Sequence, residues 1–231
     1  MNTHIKSAVI AITFVSNIHA DTLFESPVVE GTQQTSYLII NHGCEENKYP
    51  VTHQSILIPT LNPVVTRSDG TNVTLNSDIN APSGLKNLIK PIQDKNIFTQ
   101  QTLKTDNLSN VIGFNNLKGN LSYGLIGRVP LRITAPKFKP TSCAKSLKVR
   151  FAVADICKTT FPPNQSTANL WIPKATAKFS ASNEGIGYPT ELVITRSSIP
   201  ESCGTNTYDV IVEPSELDID TNLPIAKIWS K

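Results

Sequence analysis

The sequence predicts an all-β protein built as an antiparallel sandwich or barrel, and two observations support this fold class. Apolar residues recur with period two rather than 3.6 along several stretches, which is typical of half-buried strands. Sixteen prolines and frequent turn pairs, such as Asp69-Gly70 and Ser83-Gly84, interrupt the chain at short intervals. Many short strands separated by turns favour two packed antiparallel sheets.

The clearest strand spans residues 147–157, where alternate positions are apolar and Lys148 and Arg150 fall on the opposite face. This alternation predicts a half-buried strand that ends in Cys157. Further strands are predicted wherever apolar residues alternate or form short β-rich runs between turns. These candidates are 36–40, 52–58, 129–134, 169–172, 192–194 and 208–213.

Two regions differ from this pattern. Residues 84–92 carry apolar residues at helical spacing, so we expect a helix of one or two turns, limited by Pro91. Residues 61–120 are rich in Asn, Thr, Ser, Asp and Lys with weak periodicity, which predicts long polar loops or an insertion between strands. Neither a repeat nor a linker is visible, so we expect a single domain over 21–231.

The first 20 residues are typical of a secretory signal peptide. Lys6 precedes the apolar run 8–15, and the small residue Ala20 suits the position before a signal-peptidase cut. An N-terminal anchor helix is the alternative, but the run is shorter than the roughly 20 apolar residues that a membrane span needs. We therefore expect export to the periplasm or the extracellular space, with no transmembrane segment in the mature chain.

Four cysteines remain after that cut: Cys44, Cys143, Cys157 and Cys203. An even number in an exported chain most simply forms two disulfides, and three pairings are possible. The alternative for any one thiol is a metal ligand or a nucleophile. The formal net charge is only +3 and the basic residues are scattered, so the sequence does not indicate nucleic-acid binding.

Enzymatic motifs are missing from the sequence. It has no Gly-rich phosphate loop, no Gly-x-Ser-x-Gly, no His-Glu-x-x-His and no Cys-x-x-Cys. The densest polar cluster is 41–46, which contains His42, Glu45 and Glu46, and His53 follows soon after. Imidazole and carboxylate together suit copper or zinc. The alternative is a loop that turns at Gly43 and is held by a Cys44 disulfide.

Two stretches resemble a known family. Residues 36–44 (Ser-Tyr-Leu-Ile-Ile-Asn-His-Gly-Cys) lead to Pro50-Val51-Thr52 and then to 56–59 (Ile-Leu-Ile-Pro). Further on, the strand 149–157 ends in a cysteine and is followed by 170–173 (Leu-Trp-Ile-Pro). Together these stretches, about a third of the mature chain, resemble the YcnI-like periplasmic copper-binding domains.

The resemblance implies an immunoglobulin-like β-sandwich with a Cys44–Cys157 disulfide, which leaves Cys143 and Cys203 as a second pair. In the family, copper is held by the amine and imidazole of a mature N-terminal histidine, with an acidic residue near the His-Gly-Cys loop and a tryptophan close by. Carried over, Glu45 or Glu46 is the acid and Trp171 is the neighbour.

This chain departs from the family at its N-terminus. His19 is the histidine available for the first ligand, but a cut after Ala20 discards it and starts the protein at Asp21. The amine and carboxylate of Asp21 form a poorer copper chelate. The fold is then kept without the N-terminal chelate, or His42 and His53 form a different site.

We therefore expect an exported, non-catalytic protein that binds or delivers copper, with an exported copper donor or acceptor as its partner. The alternative function is a metal-free interaction module in the periplasm or at the cell surface. Such a module would act through an exposed strand edge or through the polar loops of 61–120.

Overall fold

The structure is a computed structural model that describes residues 22–44, 47–180 and 186–229. Its strands up to residue 105 are β1 (Thr22–Phe24), β2 (Val28–Val29), β3 (Gln33–Ile40), β4 (His53–Leu57), β5 (Val64–Arg67), β6 (Ile79–Asn80), β7 (Ile89–Pro91) and β8 (Phe98–Thr105). The later strands are β9 (Val111–Gly119), β10 (Gly127–Thr134), β11 (Lys137–Phe138), β12 (Ala144–Ile156), β13 (Ala168–Trp171), β14 (Ile186–Gly187), β15 (Thr190–Thr195) and β16 (Tyr208–Glu213). Helical structure in the described residues is limited to α1 (Leu75–Asp78), α2 (Glu216–Asn222) and a 3₁₀ turn at Glu201–Cys203.

Two sheets form a sandwich, which confirms the predicted all-β fold. The smaller sheet has the strand order β1-β3-β10-β7 and is antiparallel throughout. The larger sheet is organised around the long strand β12, with β14-β13-β12-β4-β9-β8 along one path and β15, β16, β2 and β5 beside it. Most pairs are antiparallel, but β12–β16, β13–β14 and β15–β2 are parallel.

The main core lies between the two sheets. It includes Leu38 of β3, Leu131 of β10 and Phe151 of β12, all almost fully buried. A second apolar cluster, which contains Ile156 and Trp229, packs on the opposite face of the larger sheet. The chain after β16 covers this second cluster, so β12 is buried on both faces near its end.

Double burial explains how β12 differs from the prediction. The strand exists as predicted, but its second face is solvated only over its first half, where Lys148 and Arg150 lie. From Ala152 onward the second face carries Ala152, Ala154 and Ile156, which belong to the second cluster. The half-buried pattern therefore holds only for the part of β12 that precedes Ala152, because from Ala152 onward the chain after β16 packs on the second face.

The helix predicted at 84–92 is wrong. Residues 82–88 form turns, and 89–91 form β7, which pairs with β10. Leu85, Leu88 and Ile89 are nevertheless buried, so their spacing reflects core contacts and not helical periodicity. The reading of 61–120 as long loops or an insertion also needs correction, because β8 and β9 are long strands of the larger sheet within that region.

Two disulfides join Cys44 to Cys157 and Cys143 to Cys203. These are the pairs that the family resemblance implies, and they are consistent with an oxidising, exported environment. Among the described helices none is long and apolar enough to span a bilayer. The predicted signal peptide, residues 1–20, lies outside the described residues.

Candidate functional site

A buried carboxylate, Asp155, lies near the end of β12 and faces the main core. It accepts hydrogen bonds from the Thr22 hydroxyl, from the Trp171 indole N–H at 2.7 Å and from the Gln54 side-chain amide at 2.7 Å. The residue is only 1% exposed. The three donors give this buried carboxyl group hydrogen-bond partners, as a buried polar group requires.

The hydrogen bonds continue from Asp155 across the sheet as a chain of side-chain amides. The Asn116 amide donates to Gln54 Oε1 at 2.8 Å, and the Gln101 amide donates to Asn116 Oδ1 at 3.0 Å. Gln101 Oε1 in turn accepts from the backbone N–H of Asp94 at 3.0 Å. Every amide in this chain therefore donates in the direction of Asp155.

Burial raises the pKa of Asp155, because the apolar surroundings disfavour the charged form. The hydrogen bonds from Thr22, Trp171 and Gln54 act in the opposite direction, and so does the charge of the nearby His42, but burial is the largest cause. The backbone geometry links His42 to this region, because the carbonyl of the adjacent Gly43 accepts from Asn169, the cross-strand partner of Asp155.

The His42 ring is oriented by the backbone of the next residue. Its Nδ1 contacts the carbonyl oxygen of Gly43, and because a carbonyl can only accept, Nδ1 carries a hydrogen. Metal-binding histidines are commonly oriented in this way, with one ring nitrogen on a backbone carbonyl and the other, here Nε2, as the ligand atom. The Asn169 amide also donates to the Gly43 carbonyl, at 3.3 Å.

The loop after His42 is fixed by the turn at Gly43 and by the disulfide. A Cβ at Gly43 would lie 2.1 Å from the carbonyl oxygen of Tyr49, so only glycine fits this close approach. Cys44 then bonds to Cys157, two residues beyond Asp155 in the sequence. This arrangement agrees with the alternative interpretation of residues 41–46, a loop that turns at Gly43 and is held by a Cys44 disulfide. Glu45 and Glu46 lie outside the described residues.

Trp171 is the tryptophan that the resemblance assigns to the neighbourhood of the copper site. Its indole nitrogen contacts Asp155, and a Cβ at Gly187 would lie 2.1 Å from its ring, so the ring packs directly on the backbone of β14. The residue is 7% exposed. Trp171, Asp155 and Thr22 therefore meet at one end of the sandwich.

His53 does not join this group. It neighbours Gln54 on β4, and successive side chains of a strand point to opposite faces. Since Gln54 contacts Asp155, His53 points to the other face of the sheet. Burial lowers the pKa of His53, and its Nδ1 contacts the Thr52 hydroxyl at 3.0 Å. The structure thus places His42 and His53 apart, although the sequence suggested them as the two histidines of one alternative metal site.

The predicted metal ligands lie partly within and partly outside the described residues. His19 and Asp21, like Glu45 and Glu46, lie outside the described residues. Across the described ranges, no three His, Cys, Asp or Glu side chains converge as a metal site would require. His42 and Asp155, an imidazole and a carboxylate, are linked there through Gly43 and Asn169.

Asp155, Gln54 and Asn116 were missed by the sequence analysis. Asp155 has the same parity in its strand as Val153 and Cys157, so a charged residue occupies a position that the pattern assigns to the core. This polar residue at a core position was the available signal. Gln54 and Asn116 gave no comparable signal, because their strand neighbours are not strictly alternating.

A second buried polar group lies on the opposite face of the larger sheet. Lys104 Nζ donates to Ser55 Oγ at 2.7 Å and to the backbone oxygens of Asn222 and Leu223. Burial lowers the pKa of Lys104 to about 7. A serine beside a lysine of lowered pKa is a nucleophile–base arrangement. Ser55 is fully buried and donates to the Leu223 oxygen, however, so the pair holds the end of α2 on the sheet.

Comparisons with known proteins add little. No family model matches the chain, and no curated protein matches it. Among solved structures, the chain is similar to an uncharacterized protein from Nocardia farcinica with an immunoglobulin-like fold. The two share 9% sequence identity, the match covers 73% of this chain and 93% of the other, and the TM-score is 0.39.

Proposed function

We propose that this protein is an exported, non-catalytic copper-binding protein that holds Cu(II) at the end of the sandwich around Asp155 and His42. One observation carries the proposal: both chain segments with the remaining predicted ligands are attached at this end. Thr22, which contacts Asp155, directly follows residues 19–21. Cys44, which is bonded to Cys157 beside Asp155, directly precedes Glu45 and Glu46.

The predicted N-terminal ligands are close to Thr22 in the sequence. His19 precedes it by three residues and Asp21 by one, so only a short stretch of chain separates either possible N-terminus from a residue that contacts Asp155. If the mature chain starts at His19, its amine and imidazole join His42 Nε2 and a glutamate. If it starts at Asp21, the amine and the Asp21 carboxylate take that place.

The donor types fit copper. Imidazole and amine nitrogens with a carboxylate oxygen suit the tetragonal preference of Cu(II). Asp155 already accepts three hydrogen bonds, so we assign it a positioning role: it orients Thr22, and with it the N-terminal segment, as well as the Trp171 ring. A bound Cu(II) ion is held by coordination without turnover. The partner is then an exported protein that donates or accepts the ion.

The test uses the protein exported with its own leader, purified and stripped of metal. Intact mass gives the mature N-terminus, and native mass spectrometry after one equivalent of Cu(II) gives the stoichiometry. Trp229→Phe leaves Trp171 as the single tryptophan, and we expect Cu(II) to quench its fluorescence. His42→Gln should weaken binding in a competition titration by about tenfold or more, since even the loss of a group that only orients a metal ligand costs about that much.

His53→Gln is the matched control, since it removes an imidazole from the opposite face of the sheet and should leave copper binding unchanged. The proposal is overturned if no copper is retained at one equivalent, or if both histidine variants lose affinity equally. A metal-free interaction module is then the remaining candidate, and the long exposed edge strand β8 is the observation that favours it.

A further inference from the structure

The larger sheet ends in a long strand with an open edge. β8 has eight residues and pairs with β9, and within the described residues the strand order ends there. The outer side of an end strand presents backbone N–H and C=O groups that another strand can pair with. Thr99 and Gln100 are exposed, and Leu103 is 55% exposed.

β8 lacks the features that usually protect a sheet edge. The other end strands in the described part are at most four residues long, and β7 also carries Lys90 and Pro91. Short length, charge and proline each discourage pairing with another chain. Residues 98–103 contain neither a charge nor a proline. Lys104 is the only charged residue of β8, and its amine is directed to Ser55 and Leu223.

A groove runs beside this edge, where β7 of the smaller sheet faces β8. Its volume is about 260 Å³. It is lined by Lys90, Pro91, Gln93, Gln101, Thr102 and Leu103. A strand that paired with β8 would place every second side chain over this groove, because side chains alternate between the two faces of a sheet.

We propose that β8 is a dimer interface, at which it pairs antiparallel with β8 of a second copy of this chain. The pairing joins the two larger sheets across a two-fold axis perpendicular to them. Such an axis keeps equivalent faces of the two strands on the same side of the joined sheet. The Gln101 and Leu103 side chains of one copy therefore lie beside those of the other.

The composition of β8 is what favours a second copy as the occupant. A strand that pairs with itself places like residues opposite or diagonal to each other, and like charges there are destabilising. The uncharged stretch 98–103 avoids this repulsion. Self-pairing also covers the exposed Leu103 side chains, whereas no charge within 98–103 selects a foreign strand of complementary charge.

The test measures mass against concentration by analytical ultracentrifugation, in the presence of EDTA so that copper plays no part. We expect the wild-type mass to rise toward twice that of the monomer as concentration increases. Leu103→Lys places two like charges in the paired strands and should weaken association by at least about tenfold, or 1.4 kcal/mol. Leu108→Lys is the matched control, because Leu108 is 81% exposed and lies beyond the end of the strand.

Hydrogen exchange gives a second measurement that does not depend on a variant. The backbone amides of 99–103 should become more protected as the wild-type concentration rises. A wild type that stays monomeric at every concentration overturns the proposal, including when it captures a foreign extended peptide. Equal dimerisation of the two lysine variants also overturns it, because the dimer then uses another surface. Both outcomes leave the copper proposal unaffected.

Discussion

At Asp155 a single carboxylate orients a series of amides. A side-chain amide has a donor end and an acceptor end, so the direction of one amide fixes that of the next. Because Asp155 only accepts when ionised, Gln54 must turn its NH₂ toward it, and Asn116 and Gln101 follow in the same sense. The last oxygen then accepts the backbone N–H of Asp94.

This directionality predicts that Asp155→Asn is destabilising, although the two side chains have nearly the same size. Trp171 can only donate, so the asparagine oxygen must face it and the asparagine NH₂ must face the amide series. The amides of Gln54, Asn116 and Gln101 then all reverse, and the Gln101 NH₂ faces the backbone N–H of Asp94, so two donors oppose each other. We expect a loss of about 1–3 kcal/mol, the cost of an unsatisfied buried group, measured by urea unfolding.

The effect should also depend on pH. The pKa of Asp155 is raised in the folded protein, so in the window above about pH 4 the folded state holds a proton that the unfolded chain has released. Stability contributed by this group therefore falls as pH rises through that window. Asp155→Asn removes this slope, so the difference between wild type and variant should be larger in acid than at neutral pH.

Asp69→Asn is the control for this variant. Asp69 is exposed and accepts the backbone N–H of Thr71 in a turn, a hydrogen bond that asparagine also makes. We expect little change in stability and the wild-type pH dependence above about pH 4, because the lowered pKa of Asp69 affects stability only below that pH. A matching loss in both variants would show that the orientation of the amides does not set the cost.

At the level of residues, the sequence could predict features that depend on neighbours in the chain, but not those that depend on distant partners. The loop turning at Gly43 could be predicted because a His-Gly-Cys sequence leaves a local signal, whereas a role for Trp171 follows only from the family resemblance. Asp155 was not selected, because whether a buried carboxylate finds donors depends on residues such as Gln54 that are distant in sequence. Only its position among core residues distinguished it.

At the scale of elements, strands were predicted correctly where one face packs on the core. They were predicted wrongly where pairing with a strand distant in sequence decides the local structure. The spacing of Leu85, Leu88 and Ile89 is compatible with a helix, but pairing with β10 makes 89–91 a strand. α2 went unpredicted although Ser215 caps it, accepting the backbone N–H of Asp218 at 3.2 Å. A serine followed three residues later by an acidic residue was the available signal.

The two disulfides should differ in function more than in stability. Replacing either pair by serines removes a cross-link over a sequence separation of 113 for Cys44–Cys157 or 60 for Cys143–Cys203. We expect each to cost about 2–5 kcal/mol, with the longer loop costing only about 0.6 kcal/mol more. Urea unfolding under identical conditions measures both.

Copper affinity should differ between the variants that lack one or the other disulfide. The Cys44–Cys157 variant releases the loop that carries His42 from the strand that carries Asp155, so we expect weaker Cu(II) binding in a competition titration. The Cys143–Cys203 variant serves as the control, because that bridge joins the start of β12 to the 3₁₀ turn. If the second variant lost as much affinity as the first, general destabilisation would explain both.

At the scale of the molecule, β12 connects the two apolar clusters. One face of the strand contributes Phe151 and Val153 to the main core, and the other contributes Ala154 and Ile156 to the second cluster. Because both clusters share this backbone, neither keeps its packing when the strand is lost. This sharing was not visible in the sequence, since the residues that cover the second face, such as Trp229, are more than 70 positions further on.

The shared strand predicts that the sandwich unfolds as one cooperative unit, in line with the single domain expected from the sequence. The two tryptophans report on different clusters: Trp171 belongs to the main core, whereas Trp229 packs edge-to-face on Phe161 at 5.5 Å in the second cluster. In Trp229→Phe the fluorescence comes from Trp171, and in Trp171→Phe it comes from Trp229.

Within each variant, the urea midpoint from fluorescence should coincide with the midpoint from far-UV circular dichroism, as in a two-state transition. Comparing the two probes inside one variant removes the effect of the substitution on stability. If Trp229 fluorescence changed at lower urea than the circular dichroism signal, the C-terminal segment would detach before the sandwich unfolds. The hydrogen bonds from Lys104 to Asn222 and Leu223 argue against such early detachment, because they fasten that segment directly to β8.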